Sequence, residues 1–407
     1  MKILLINNYH YSRDGVTRAY FDLAEILTAH GHEVAFFSSH SEKESPTKWS
    51  KYFVSATDFE DKKISPLTKI KLLAKGFYNF EAKRKLSALL KDFQPDVAHL
   101  HNIYHHLTPA IISVLQKNNI PTVMTLHDYA LVSPNYNLFS RGKIWERTKN
   151  GNYWRCLTDR CVKNSFWRSL LALLESYFYQ WRGSYQKIDQ FISPSRFLIN
   201  KFKEFGFKRE INYLPNPFLP PKVEIKNKTE NYFLYYGRLS PEKGIADLIH
   251  AYSNLGEESK LKIVGAGPEE EKLKKIVAAE KINGVEFLGY QTGAELWQLV
   301  ANAAAIIVPS LWYENAPYSV IEPMGLGKIV IAANLGGPTE LITDGVNGFL
   351  FEPGNIEDLR AKMKMVLSLG GEQEIIGARA AESIKERNNL EKFYQGLLGI
   401  YQKAVRL

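Results

Sequence analysis

LPNPFLPPKVEIKNKTENYFLYYGR, residues 214–238, holds the break that decides the architecture. Residues 214–231 carry four prolines among Lys, Asn and Glu residues. Proline fixes φ and lacks an N–H, so the stretch neither continues a helix nor joins a sheet and reads as a linker. At Tyr232 an apolar, aromatic run resumes and closes on Gly237 and Arg238. That run reads as the first strand of a second unit.

The same theme lies on both sides of the break. Upstream, KILLIN (2–7), EVAFFS (33–38), DVAHLHN (96–102), PTVMTLH (121–127) and DQFISPS (189–195) read as strands. Between the first two, residues 16–29 place Ala19, Leu23, Ile26 and Leu27 on one helical face, and Gly31 follows as a stop. Downstream, LKIVGAG (261–267), VEFLG (285–289), AIIVPS (305–310) and KIVIAA (328–333) continue the strands. Helices are expected over 243–255, 269–281, 293–302 and 317–326. Strands separated by helices of this length imply parallel sheets covered on both faces. The expected fold class is therefore α/β: two doubly wound Rossmann-like domains facing across a cleft. Residues 1–217 and 231–388 form the domains, 218–230 the linker, and 389–407 a helix packing back on the first domain. Ligands of open parallel sheets bind beyond the carboxyl ends of the strands. Two such ends facing each other suit the joining of two substrates.

Composition narrows the class further. In 407 residues, 45% are apolar and 23% charged, which excludes disorder and collagen-like repeats. The densest apolar cluster, 170–174, is far too short for a membrane span. The opening MKILLIN lacks the cleavage site of a signal peptide. Two cysteines fit a reducing cytosol.

The net charge of +9 is uneven: residues 1–218 carry +12 and residues 219–407 carry −3. A basic first half suits an anionic partner such as nucleic acid, a membrane surface or a phosphorylated substrate, and equally a solvated basic surface with no partner. No nucleic-acid recognition motif accompanies it, so nucleic acid is not expected. Residues 62–85 hold eight Lys/Arg against one Glu, Lys69, Lys71 and Lys75 among them, interleaved with apolar side chains. A second basic and aromatic stretch runs from 166 to 185. Such mixtures suit an anionic membrane interface, and equally a core-facing helix with a basic outer face.

Chemistry concentrates at strand ends of the second domain. In YYGRLSPEKG (235–244), Gly237 lets the backbone turn closely, and Arg238 and Lys243 flank a loop that opens a helix. Two cations beside a helix N-terminus make an anion site. In SLWYENAPYSVIEPMGLGK (310–328), Pro317 fits the first turn of a helix, and Glu322 follows Glu314 by eight residues. Backbone N–H groups of Asn315, Ala316 and Tyr318 are placed to meet phosphate, and the carboxylates to accept from sugar hydroxyls. VGAGPEEEKL (264–273) offers Gly265 and Gly267 without the third glycine of a dinucleotide fingerprint. Three glutamates there repel a pyrophosphate, so a tight strand-to-helix turn is the better reading.

The pattern ENAPYSVIE, with GRLSPEKG upstream and NLGGPTELITDGVNGFLFEPGN (334–355) downstream, resembles the retaining glycosyltransferases of the GT-B fold, family 4. The resemblance implies that Glu314 contacts hydroxyls of the donor sugar and Glu322 the ribose. It implies that Arg238 and Lys243 stabilise the leaving diphosphate, which requires no metal and no cofactor beyond a nucleotide-diphosphate sugar as co-substrate. A glycan or lipid-linked acceptor is expected in the first domain. Gly15, before a helix start, falls where the family usually has a glycine pair near the donor, but Asp14 stands in front of it. His127, in TLHDY, matches a strand-end His that faces the reaction centre. The strand end HLHNIYHH (99–106) is placed beside the acceptor cleft. His99 and His101 share a strand face there, without the ligand spacing of a zinc site. Relatives often carry two further cysteines near Trp145 and Arg147, which are missing here. Cys156 and Cys161 are therefore expected as two free thiols, with no metal site. The implied setting is cytoplasmic, at the inner face of the cytoplasmic membrane. A sugar-nucleotide epimerase on the same fold and a nucleotide-sugar-binding protein without turnover stay open as alternatives.

Overall fold

The computed structural model describes residues 1–55, 72, 74–225, 229–256 and 259–406. Its first sheet is built from β1 (Lys2–Tyr9), β2 (Glu33–Ser39), β3 (Val97–Leu100) and β4 (Thr122–Thr125). A small hairpin, β5 (Phe139–Ser140) and β6 (Lys143–Ile144), interrupts it before β7 (Gln190–Ser193) and β8 (Asn212–Tyr213) complete it. The second sheet contains β9 (Tyr232–Tyr236), β10 (Lys260–Val264), β11 (Val285–Gly289), β12 (Ala305–Val308), β13 (Val330–Ala333) and β14 (Phe349–Phe351). The strand orders are β2-β1-β3-β4-β7-β8 and β11-β10-β9-β12-β13-β14, and every pairing in both sheets is parallel.

Because side chains alternate along a strand, each sheet feeds two apolar layers. Leu4 and Ile6 of β1 enter a layer with Phe37, Leu86 and Leu89. Ile3 and Leu5 enter the opposite layer with Leu23 and Leu27. Tyr394, Leu397, Ile400 and Tyr401 join that second layer from the helix Leu390–Val405. The last helix of the chain thus roofs the first sheet. Phe233 and Leu234 divide the second sheet's layers in the same way. Each fully buried Leu, Ile or Phe contributes about 1.5–3 kcal/mol, so these layers dominate the stability of both sheets.

The order of strands reverses between β1 and β3 in one sheet and between β9 and β12 in the other. Chain segments diverge at these points and leave a crevice. The two crossings between the halves are tied together: the Asn388 amide donates to the Asn216 carbonyl (2.6 Å), and the Phe218 N–H to the Asn388 carbonyl (2.8 Å).

Two expectations change. The helix predicted over 243–255 begins at Ile245, because Gly244 takes a left-handed conformation that seats it against the Pro309 carbonyl. Cys156 and Cys161 are not two free thiols; they form a disulfide. The turn after the helix Trp154–Thr158 folds the Cys161 N–H onto the Cys156 carbonyl (2.9 Å) and brings the two Cα atoms to 4.9 Å. Spacing alone does not reveal that turn. The pair packs with Trp145 in a small cluster of its own. Of the basic stretch 62–85, residues 62–71 and 73 lie outside the described residues, Lys69 and Lys71 included.

Candidate functional site

The two switch points face each other across a cavity of about 2340 Å³. Its donor side is built from loops that follow β9, β10 and β12. Gly237 and Gly265 both have positive φ, and a Cβ at Gly265 would collide with the Gly237 carbonyl. The loops after β9 and β10 approach this closely only with glycine at that contact. Arg238 stands exposed on the cavity wall, and its guanidinium makes no hydrogen bond or ion pair among the described residues.

Lys243 and Glu314, read from two separate motifs, meet. Lys243 Nζ donates to Glu314 Oε1 at 2.6 Å, and the same oxygen accepts from Ser310 Oγ (2.7 Å) and Trp312 Nε1 (2.9 Å). Lys243 also lies 5.2 Å from the Trp312 ring centre. Burial pushes the Glu314 carboxyl up, but the Lys243 charge and these hydrogen bonds outweigh it and hold its pKa below the ordinary value. Glu314 is therefore an ionised carboxylate in a nearly dry place. Its backbone is fixed by the loop after β13: the Gly337 N–H donates to the Glu314 carbonyl (2.7 Å), and a Cβ at Gly337 would strike the Asn315 carbonyl.

Glu322 is in the opposite state. It lies in the second turn of the helix Tyr318–Gly325, which Pro317 caps. Burial raises its pKa to about 7, against the attraction of Arg18. Arg18 Nη2 is 3.7 Å from Glu322 Oε1, and Tyr236 Oη donates weakly to Oε2 at 3.4 Å. Arg18 belongs to the helix Gly15–Ala29 of the first domain and is shared with Asp22 at 2.9 Å. Sequence reading missed Arg18, Ser310 and Trp312. The last two stand inside the SLWYEN stretch and were legible as neighbours of Glu314. Nothing local marks Arg18.

Gly15 opens its helix behind the Asp14 cap and lines the cavity opposite the Tyr318 ring. Gly237, Gly265, Ala316 and Glu322 line it as well. The Asn315 side chain turns away toward the first domain. It accepts from Ser195 Oγ (2.5 Å) and donates to the Leu126 and His127 carbonyls (3.2 and 3.4 Å). Glu340 makes a second tie, accepting from the Arg196 N–H at 3.2 Å and from Arg387 at 2.7 Å. The strand end bearing His127 is thus hydrogen-bonded directly to the loop bearing Glu314.

On the acceptor side, His127 lies just beyond the end of β4. Its Nε2 is 2.9 Å from His101 Nδ1, and the two rings stack. His101 in turn stacks on His99, which is held by Tyr401 Oη (2.8 Å) and Thr125 Oγ1 (2.7 Å). Burial lowers the pKa of His127 to about 4 and that of His99 to about 3, so these rings are neutral. His99 spends both nitrogens inside the fold. Among the described residues, no three His, Cys, Asp or Glu side chains gather as metal ligands. Beside His127, burial raises the Asp128 carboxyl to about 6 despite hydrogen bonds from the Ala130 N–H (2.9 Å) and Asn102 (3.3 Å). Asn7 Oδ1, Asn102 Oδ1 and Tyr129 Oη are buried without partners, all three on residues of the cavity wall.

Crossing from a cation-rich strand end to a neutral polar one is the arrangement of a transferase with two substrates. The model for glycosyltransferase family 4 matches residues 13–218, and that for glycosyl transferases group 1 matches residues 220–383. The chain belongs to glycosyltransferase family 4 and is a GT-B glycosyltransferase.

A protein of the cps region of Klebsiella pneumoniae is 24% identical over 84% of this chain and 87% of its own length. The lipopolysaccharide 1,2-N-acetylglucosaminetransferase of Salmonella typhimurium is 31% identical over 40% of this chain and 49% of its own. Among solved structures, sucrose-phosphate synthase from Thermosynechococcus elongatus superposes with a TM-score of 0.72 at 17% identity, over 99% of this chain and 98% of that one. The Anabaena protein HepE, in complex with UDP-glucose, gives 0.65 at 19% identity over 99% and 100%. No helix among the described residues is long and apolar enough to cross a membrane.

Proposed function

We propose that this protein is a retaining, metal-independent glycosyltransferase that moves a sugar from a nucleotide-diphosphate sugar to a glycan or lipid-linked acceptor in cell-surface polysaccharide synthesis. It works in the cytoplasm, held peripherally at the inner face of the membrane. The observation that carries this reading is the dry Lys243–Glu314 pair beside the unengaged Arg238. A departing diphosphate gathers negative charge, and two cations with the helix opening at Tyr318 lower the cost of that charge. Glu314 retains an uncommitted carboxylate oxygen for donor hydroxyls, and Glu322 meets the ribose once Arg18 yields. His127, neutral, orients a hydroxyl at the reacting centre. The names of the lipopolysaccharide transferases among its relatives support the choice of product.

The test is incubation with a panel of UDP-, GDP- and ADP-sugars, with and without acceptor lipids, in chelator. Release of free nucleotide that grows with acceptor, and a product with the donor's anomeric configuration, is expected. Activity abolished by chelator and restored by magnesium or manganese overturns metal independence. Interconversion of the donor without acceptor would mark an epimerase, and binding without turnover a non-catalytic protein.

A further inference from the structure

The helix Phe166–Trp181 has two apolar sides and only one is covered. Ser169, Leu173 and Tyr179 are buried against the first domain. Trp167, Leu174 and Trp181 follow one another at intervals of seven residues and are 71%, 46% and 82% exposed. At 3.6 residues per turn, this spacing aligns them along a single stripe. Phe166 and Tyr177 border the stripe and are also exposed. Further aromatic side chains adjoin the last turns of the helix. Tyr177 packs on Tyr153, next to the exposed Trp154, and Phe178 meets Phe77 near the exposed Phe80. Large apolar side chains exposed in line on one helix face mark a surface for association.

Charge decides what covers it. Residues 154–187 contain six Lys/Arg and two carboxylates. Both carboxylates are engaged: Asp159 accepts from Arg147 and Trp145, and Glu175 pairs with His105. Arg155, Arg160, Lys163, Arg168, Arg182 and Lys187 are all exposed on the helix and its flanking segments, Lys163 and Arg168 on the cavity wall as well. In the other basic stretch, the described Lys75 is turned onto Ser55 and Glu81 (3.0 Å to the carboxylate). A second copy of this chain would bring six more cations against these six. Tryptophan and tyrosine rimmed by cations instead match the headgroup zone of an anionic bilayer.

We infer that the helix Phe166–Trp181 is the membrane-docking element, seated on anionic lipid through Trp167, Leu174 and Trp181. Its flank toward the cleft carries Leu171, Ala172 and Glu175 on the cavity wall. One helix therefore touches bilayer on one side and the acceptor half of the cleft on the other. This brings a bilayer-anchored acceptor's head group to the site, an inference that rests on the lipid-linked reading above.

The experiment is co-sedimentation of the full chain with vesicles of phosphatidylcholine alone or mixed with phosphatidylglycerol, at low and high salt. The comparison is with the variant carrying Trp167→Ser, Leu174→Ser and Trp181→Ser, none of which lines the cavity. Wild type should partition onto the mixed vesicles and release as salt shortens the Debye length from about 8 Å to about 3 Å. The triple variant should partition at least about tenfold less while keeping its melting temperature and its nucleotide release from donor with a soluble acceptor. Equal partition of variant and wild type overturns the inference. So does a wild-type dimer that the variant dissolves without any vesicle binding. Failure of the transferase reading would be seen separately, as absence of nucleotide release in every protein, whatever the vesicles do.

Discussion

Donor and acceptor halves of the cleft solve the problem of buried polar groups in different ways. On the donor side, Glu314 is ionised, and one of its oxygens is satisfied by three donors from its own domain. On the acceptor side, His99 and His127 are held neutral and Asp128 is pushed toward neutrality; among the described residues, buried oxygens without partners occur there on Asn7, Asn102 and Tyr129, and on the donor side on Tyr318. A site prepared for a diphosphate of known charge can be built in advance with permanent cations. A site for a neutral, variable hydroxyl compound keeps its polarity in reserve, at a cost of about 1–3 kcal/mol per unsatisfied buried group. Glu322 sits at the seam and shares both characters, with an ion-pair partner from the other domain and a carboxyl near neutrality.

Within the donor side, Lys243 and Arg238 should separate. Lys243→Ala should lower turnover by at least about tenfold. It should also destabilise the protein by about 2 kcal/mol, since Glu314 then stays buried without its counter-charge. Arg238→Ala should lower turnover comparably but change stability by less than about 0.5 kcal/mol, because the guanidinium has no partner to lose. Steady-state kinetics with denaturant melts would check this. A strongly destabilised Arg238→Ala variant would show that the contrast drawn between the two cations is false.

Glu322 sharpens the comparison through pH. Its carboxyl titrates near 7 in the folded protein, above the ordinary 4.5, so folding favours the protonated form. The stability it contributes is full below pH 4.5 and is lost as pH rises through about 7. The loss is at most about 3 kcal/mol. Glu322→Gln should flatten this part of the curve. Melts at pH 5 and pH 8 showing the same slope for both proteins would contradict the assignment.

The smallest effect expected is at the bridge between the halves. Asn315→Ala removes one side chain that bonds Ser195 and the Leu126 and His127 carbonyls. It should cost about 1 kcal/mol in stability, with a larger rise in KM for donor than fall in kcat. A fall in kcat alone would mean that the side chain acts in the chemistry itself.

Much of the fold was readable because its signals are local. The strands β1, β2, β9 and β11 lie within two residues of the stretches read as apolar runs, and the helix Gly293–Asn302 has the predicted bounds. β8 and β14, two and three residues long, carry too little pattern to be seen. The hairpin and the disulfide-bearing segment depend on turns with left-handed residues such as Arg141, Arg160 and Lys163, which composition does not announce. The GRLSPEKG and ENAPYSVIE motifs were legible as candidates because each lies on a single loop at a strand end.

The sequence by itself determined the alternation of strands and helices, the break near residue 214, the family resemblance and the positions where cations and carboxylates stand. Periodicity and short motifs are properties of neighbours along the chain, and these can be read without coordinates. Only the tertiary structure decided that Lys243 closes on Glu314, that Arg18 crosses to Glu322, and that Asn315 grips the strand end of His127. It also decided the protonation of Glu314 and Glu322: two glutamates of one motif, equally buried, differ because one faces a lysine at 2.6 Å and the other an arginine at 3.7 Å that is shared with Asp22. Charge state follows from the distance to partners in space, and that distance is set by packing.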